Sequence, residues 1–506
     1  MKELFLKIFL SLGLAGVIAA KSIFVFSNNT YIDIQAITFL LAILAVLLLL
    51  SPELKVQKLG TGLNRWFVTF QILFWASYLL VIYPGFYPYD AFTTLQIVLS
   101  SRTAFWQSYF YSFISYGFSY FDRNLFIAPL LNVTLWLSCL FYILHLFPIR
   151  TLRNLIIALV FSLLPLQLIT LPLILRDILF GTLSCVLIFQ LIPFLREPLK
   201  KVSVVYFLSL LFVLSLACEV RHDGVLYYIL FPLLLWLSKN ESLKRKVPIS
   251  MAFCGMMIAL NVFLTAKEKP ATIQKYEFTA ILHPLNAIFY NPEATISSQD
   301  REVVSKVIDL THLQNRYSSL HILQFYENLD KLPISLDEWT EFKITYLKLV
   351  FKNFATFLNE RLQISASNFG FLPGAFIFSD DLEKPPNNFL QIIPQNQLPR
   401  AIPFFQNWRK VIVAFWSGLT REHQSLLALT LFNPLFFLLI AYFVSRKNEE
   451  TALLFNLSAV LLIGRCSVLF FVIPEPHLFY FSPLIYLPVL VFIYSLLSPT
   501  KKETFL

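Results

Sequence analysis

The ionisable residues that interrupt or border long apolar runs are few in this chain, and they are where chemistry could be done. Asp90 closes the run Tyr83-Pro84-Gly85-Phe86-Tyr87-Pro88-Tyr89-Asp90, in which two prolines and a glycine stop a helix and leave a carboxylate just outside an apolar segment. Flanked by Tyr87 and Tyr89, this acid is expected to be partly desolvated, which raises the basicity a general base needs. The same residue stands immediately before Ala91, where the N-cap of a helix belongs. Arg176-Asp177 and Arg221-His222-Asp223 lie in two connections between apolar runs. The connections are so short that the charges must lie at or slightly below a membrane surface, where ionisable groups are costly unless they pair or face a polar cavity. Positive charge at that depth suits a phosphate, and an Asp/Arg pair that closes each hairpin is the simpler alternative. Arg465 falls within an apolar run, followed by Ile473-Pro474-Glu475-Pro476-His477. It reads either as a functional residue or as an arginine snorkelling to the headgroups.

The elements that position these residues follow from composition. The chain has 506 residues, of which 57% are hydrophobic and 14% charged, and its mean hydropathy is +0.68. That much apolar surface has no soluble home, so the expected fold is an all-α polytopic membrane protein. Apolar runs bounded by charge, Pro or Gly predict about twelve spans, near 4–20, 32–50, 66–83, 125–147, 154–173, 178–194, 202–219, 225–238, 248–265, 426–444, 452–472 and 478–497. The first of these is either a retained span or a cleaved signal peptide, and Lys7 within it favours retention. All five cysteines sit in apolar runs, so neither a disulfide framework nor a Cys-x-x-Cys metal site is expected. Singly scattered histidines argue likewise against a transition-metal site.

With the N-terminus in the cytoplasm, every short cytoplasmic connection is basic: Lys55, Lys58 and Arg65; Arg150 and Arg153; Arg196, Lys200 and Lys201; Lys239 to Lys246; and Arg446 with Lys447. The net charge of +10 is then a topology signal, and no nucleic-acid partner is needed. The opposite side receives Asp90, both arginine hairpins, Glu475, His477 and one long segment. The chain therefore divides into an N-terminal membrane region, 1–265, with nine spans and an outer loop at 84–124; an extracytoplasmic segment, 266–425; and a C-terminal membrane region, 426–506, with three spans. Residues 266–408 hold 13 Lys/Arg and 15 Asp/Glu, half of the acids in the chain, which marks them as solvated. Stretches 299–309 and 337–362 read as helices, 371–403 as irregular, and Asp380-Asp381 as a charged turn. Ten aromatics between Phe105 and Phe121 read as an interfacial belt, or else as a groove for an isoprenoid or acyl chain.

In order, Tyr83-Pro84-Gly85 with Asp90, then Leu175-Arg176-Asp177-Ile178-Leu179-Phe180, Arg221-His222-Asp223-Gly224, and Tyr346 to Arg361 resemble the GT-C class of membrane glycosyltransferases. Within that class the resemblance is to a protein-mannosyltransferase-like bacterial branch. It spans most of 66–497. The chain departs from the pattern at Gln107-Ser108-Tyr109, where such enzymes often show His-Pro-Pro, and at His477-Leu478, where they often show Arg-Tyr.

The resemblance implies inverting transfer of a sugar from a polyprenyl-phosphate-linked donor to an extracytoplasmic acceptor that is a lipid, glycan or protein. The location would be the bacterial cytoplasmic membrane. Asp90 would be the catalytic base; Arg176, Arg221 and Arg465 would hold the donor phosphate; and Asp177, His222, Asp223, Glu475 and His477 would bind substrate groups. No metal ligands are assigned and no cofactor is required, with a divalent metal left open. The partners would be the lipid-linked sugar, membrane lipids and the unidentified acceptor. A multi-span transporter is the rival, although its polar sites would lie near the bilayer midplane in matching halves. A polysaccharide polymerase or ligase using lipid-linked substrates is a third reading.

Overall fold

The computed structural model describes residues 62–100, 111, 115, 124–196, 199–221, 224–265, 270–315, 332–369, 378, 380–390, 393, 397–421, 433–446, 449–472 and 478–499. The expected spans at 4–20 and 32–50 lie outside them. Among the described residues the fold is helical without strands, its one extended pairing being an isolated parallel bridge between Phe86 and Leu173. The membrane part comprises α1 (Gly62–Val81), α2 (Tyr89–Ser100), α3 (Ile127–Leu146), α4 (Leu152–Ser162), α5 (Pro165–Thr170), α6 (Arg176–Gln190), α7 (Val204–Val220), α8 (Val225–Leu237) and α9 (Val247–Thr265). The long segment contributes α10 (Pro270–Tyr290), α11 (Ser298–Ser305), α12 (Leu336–Lys352), α13 (Phe354–Asn368) and α14 (Gln406–Arg421). Then α15 (Pro434–Ser445), α16 (Glu449–Val472) and α17 (Ser482–Leu497) return to the bundle.

Among the described residues, four helical stretches are long and apolar enough to cross a membrane: Ile127–Leu146, Arg176–Phe194, Glu449–Val472 and Leu478–Leu497. Burial sorts them. The stretch ending in α17 is 89% buried and the one beginning with α6 is 83% buried, so these two form the axis, whereas only 39% of the α16 window is covered. Apolar residues on the peripheral helices point outward at helical spacing, as in Val205, Leu208 and Phe212 on α7 and Ile229, Leu233 and Trp236 on α8. A girdle of this kind would be untenable in water, and it identifies the bundle as an all-α membrane protein.

The span expected at 154–173 is not one helix. Pro165 has no N–H to continue α4 and instead opens α5. The Leu171 carbonyl freed beyond α5 accepts from Asn132 Nδ2 inside the bundle (3.2 Å), and the Thr170 side-chain oxygen Oγ1 accepts from Tyr486 (2.8 Å). Buried polar groups in an apolar medium require such partners. Close packing of α6 on α17 depends on Gly181, where a Cβ would lie 2.7 Å from Ser482.

Helix direction alternates, and this separates the charges. At one end the Ile149 amide donates to Asn64 Oδ1 (2.7 Å), Asn240 Nδ2 donates to the Lys200 carbonyl (3.0 Å), and Lys239 approaches Glu449 (3.8 Å). The basic connections 150–153, 199–201, 239–246 and Arg446 therefore share that end. The opposite end holds the Tyr83–Asp90 turn, Arg176, Arg221 and the short turn Leu478–Phe481 that leads into α17. The long segment attaches at this second end, through Phe357 stacked on Phe471 (6.3 Å) and Asn433 Nδ2 donating to the Phe369 carbonyl (2.9 Å).

Of the helices expected over 299–309 and 337–362, the first ends early, at Ser305, and the second is divided. Ser297 and Asp300 form a reciprocal cap that starts α11, Ser335 and Glu338 form another that starts α12, and Asn353 separates α12 from α13. Asp300 is buried and receives both Lys348 and Lys352 at 3.1 Å. Burial alone would raise its carboxyl pKa. Hydrogen bonds from Ser297 and the two lysines outweigh burial and hold it well below the usual range. A depressed folded-state pKa contributes stability that is complete above the unfolded value near ~4 and is lost as pH falls below it. Wild-type protein should therefore show a falling unfolding temperature as the pH drops from about 4 to 2, whereas Asp300→Asn should start about 1–3 kcal/mol less stable and vary less with acid. Thermal unfolding across that pH range, followed at Trp339 beside this helix pair, checks both.

Candidate functional site

The second end of the bundle gathers side chains from four separate elements. Asp177 opens α6 and is 4% exposed; Arg221 caps the C-terminus of α7 and is 7% exposed. Their side chains form an ion pair, and Arg176 Nε lies 3.9 Å from the same carboxylate. The simple alternative, a pair closing each hairpin by itself, is thus replaced by a pair that joins one hairpin to the other. Arg221 also lies over the Tyr480 ring at 5.3 Å. The backbone carbonyl of that tyrosine accepts from Arg465 Nη2 (2.8 Å) and Nε (3.3 Å). Arg465 is 1% exposed and sits 4.1 Å above the Phe180 ring, one turn along from Arg176. It therefore turns into the bundle and does not snorkel. Ser482 anchors the start of α17 by donating to the Asp177 carbonyl. Arg176, Asp177, Arg221, Tyr480 and Arg465 form one continuous network.

Asp90 and Arg176 both act electrostatically on Tyr111. Burial pushes the Tyr111 phenol pKa up, Arg176 and Ser115 draw it down, and Asp90 pushes it up again, so one hydroxyl is within electrostatic reach of both Arg176 and Asp90. The local reading of Asp90 is corrected in two respects. Helix α2 starts at Tyr89, and the Pro88 carbonyl accepts from the Ala91 amide (2.9 Å), so Asp90 lies inside the first turn and is not the cap. Proline supplies the helical φ that allows this earlier start. Asp90 is also exposed, so burial does not account for any basicity it has. An acid in a first turn still gains from the helix dipole.

The turn that carries Asp90 is held from several sides. Gly85 has φ +116° and packs so tightly that a Cβ there would meet the Pro172 carbonyl at 2.7 Å. The Phe86 amide donates to that carbonyl (3.0 Å), and the Ile174 amide donates to the Phe86 carbonyl (3.2 Å). These bonds fix the Asp90 turn against the strand-like entry to Arg176. From the long segment, Arg409 makes two bonds to Asp380 (2.6 and 2.9 Å) and one to the Gly85 carbonyl (2.9 Å). Asp380 in turn accepts from the Tyr87 amide (2.9 Å), and the Asp381 amide donates to the Tyr87 carbonyl (2.8 Å).

Asp380-Asp381 reads as a charged turn, but the side chains of Asp380 and Arg409 are each 1% exposed and form a buried pair. The sequence offered one overlooked signal, an arginine beside Trp408 in a strongly amphipathic helix. Glu360 and Arg361 are a second buried pair, within α13 (2.5 and 2.6 Å), and nothing in their local sequence set them apart from the surrounding solvated charges.

His222, Asp223, Glu475 and His477 lie outside the described residues, as does all of the aromatic stretch 105–121 except Tyr111 and Ser115. Among the described residues no three His, Cys, Asp or Glu side chains gather as a metal cluster. The arrangement concentrates guanidinium charge that suits an anion, with the exposed Asp90 carboxylate at the same end of the bundle. No family model, curated protein or solved structure matches the chain.

Proposed function

We propose that the chain is a GT-C-type integral-membrane glycosyltransferase of about twelve spans, which moves a sugar from a polyprenyl-phosphate-linked donor to an extracytoplasmic acceptor with inversion. The observation that carries this reading is the network from Arg176 through Asp177, Arg221 and Tyr480 to Arg465, with Asp90 within electrostatic reach. It lies at the end of the bundle opposite the basic connections, which positive-inside topology assigns to the extracytoplasmic side of the bacterial cytoplasmic membrane. A phosphate on an isoprenoid tail carries its charge at that depth. A solute carrier would place its polar site nearer the midplane.

In this reaction Asp90 takes the proton from an acceptor hydroxyl or amine as its O or N attacks the anomeric carbon. The bond from that carbon to the phosphate oxygen breaks, and its electron pair leaves with the polyprenyl phosphate. Arginines already fixed in a low-dielectric site stabilise that growing charge without reorganising. Arg176 and Arg465 are set to grip the phosphate, and Arg221, held by Asp177, adds to the field. His222, Asp223, Glu475 and His477 orient substrate groups, and the segment 266–425 covers the site and selects the acceptor.

Membranes containing the chain should release polyprenyl phosphate from a radiolabelled polyprenyl-phosphate sugar, and membranes containing Arg465→Leu should release ~100-fold less or lower, the usual effect of deleting one oxyanion donor. Equal release with and without the chain, across the common hexose and pentose donors, would count against the reading.

A further inference from the structure

Helix α14 has three sectors. Arg409, Trp416 and Thr420 are buried against the bundle; Gln406, Asn407 and Lys410 are exposed and polar; Trp408, Val411 and Phe415, spaced by three and four residues, are exposed and apolar. The apolar sector is 58–66% exposed, and Phe404, just before the helix, is 81% exposed.

This face continues an apolar surface that already belongs to the bundle. Ile412 and the outward side of α1, including Trp66, Phe70 and Leu73, line an open apolar groove of ≈ 500 Å³. Helix α1 runs alongside α3: Asn64 bonds to Ile149 at one end and Tyr83 accepts from Asn124 Nδ2 at the other. Trp416 Nε1 donates to Tyr78 near the α1 terminus (2.9 Å), which fixes the level of α14 at the site end of that girdle. An amphipathic helix with Trp and Phe on its apolar face, lying at the rim of such a girdle, is in the environment where interfacial helices bind.

We propose that α14 lies in the lipid interface at the site end of the membrane, with Trp408, Val411 and Phe415 among the lipid chains, and that it positions the Asp90 turn through Arg409. The link is direct. Arg409, in the buried sector, bonds the Gly85 carbonyl and Asp380, and Asp380 holds the Tyr87 amide. Lipid contact on one sector thus secures the turn held by the other. A soluble solvated segment, as expected for all of 266–425 from charge alone, would leave this face in water. The inference concerns the membrane surface and the turn, and it stands whether or not the transferred group is a sugar.

The test uses full-length protein in phosphatidylglycerol/phosphatidylethanolamine vesicles, spin-labelled in turn at Val411→Cys, Phe415→Cys and Asn407→Cys, with wild-type protein as the blank for its own five cysteines. Labels at 411 and 415 should collide with oxygen in preference to a water-soluble nickel chelate, and the label at 407 should show the reverse. Nickel preference at all three, or access to neither probe at 411 and 415 because a second protein surface covers them, would overturn lipid as the occupant.

Coupling to the turn is read by amide hydrogen exchange over 83–92 in the Val411→Glu/Phe415→Glu double variant. The Tyr87 amide should exchange about tenfold faster or more in that variant, and a conservative Val411→Leu should leave it unchanged. Unaltered exchange in the charged variant, with α14 shown to be displaced from lipid by its label, would overturn the positioning role.

Discussion

Arg409→Met should lower the stability of the protein by about 3–5 kcal/mol, the usual consequence of removing one partner of a buried ion pair. The reason lies in what remains. Asp380, 1% exposed, would keep its charge in an apolar setting with only the Tyr87 amide as donor among the bonds described, and the Gly85 carbonyl would lose its guanidinium donor. Arg409→Lys should recover less than half of the loss, because an ammonium cannot reproduce two parallel bonds to the carboxylate together with one to Gly85. Pairing Arg409→Met with Asp380→Leu should recover more than Arg409→Lys does, since apolar replacement of both partners removes the stranded charge. Thermal unfolding of wild type and these three variants in one detergent measures the order. A loss below ~0.5 kcal/mol in Arg409→Met, the range of ordinary surface substitutions, would show that the pair does not secure the turn.

Asp90→Asn should reduce sugar transfer by about 10²–10⁴-fold, the span associated with a lost general base, while the unfolding temperature stays near that of wild type. Asp90 is exposed in the first turn of α2, where its backbone carbonyl accepts the Thr94 hydroxyl (3.0 Å). Asparagine keeps that carbonyl and the side-chain shape. It forfeits the carboxylate charge and with it a dipole interaction of ~0.3–1 kcal/mol. Asp90→Glu should retain part of the activity, because it keeps a proton acceptor and moves it by one methylene. Donor binding should be unaffected by either change, since the arginines hold the phosphate. Single-turnover transfer with saturating donor separates the two steps, and full turnover by Asp90→Asn would remove the general-base role.

Much of this arrangement can be read from the amino-acid order, for identifiable reasons. Arg176, Asp177, Arg221 and Arg465 are conspicuous because a charge in or beside an apolar run is rare and costly, and the structure brings all four into one network. What composition does not convey is pairing. Asp177 is adjacent in sequence to Arg176 yet forms its closest ion pair with Arg221, because the bundle, and not the chain, brings the ends of α6 and α7 together. Tyr480 and Phe180 carry no charge and blend into their runs, although they connect and cover the arginines.

The long segment was harder. Its abundant solvated charge conceals Asp380, Arg409, Glu360 and Arg361, whose burial is decided by contacts far away in sequence, such as Arg409 with Gly85. Hydropathy sees the apolar run from 154 to 173 but not the lost N–H of Pro165 that divides it. Asp90 illustrates the limit at one residue: the prolines predict a helix start, and the structure moves that start by two residues and exposes the acid.

The central claim is that the arginine network receives a lipid-borne phosphate, and titration of a polyprenyl-phosphate analogue tests it most directly. Purified wild type, Arg176→Leu, Arg221→Leu and Arg465→Leu would each be titrated in the same nanodiscs, with the matching free polyprenol and with inorganic phosphate as separate ligands. Wild type should bind the analogue well above either fragment. Each leucine variant should weaken it by at least ~10-fold, as expected for one charged hydrogen-bonding partner worth ~1.5–3 kcal/mol, and lysine should restore little at Arg465, where the phosphate would be gripped by two parallel bonds. Equal affinity for the analogue in all four proteins, or equal affinity of wild type for the polyprenol lacking phosphate, would contradict the claim.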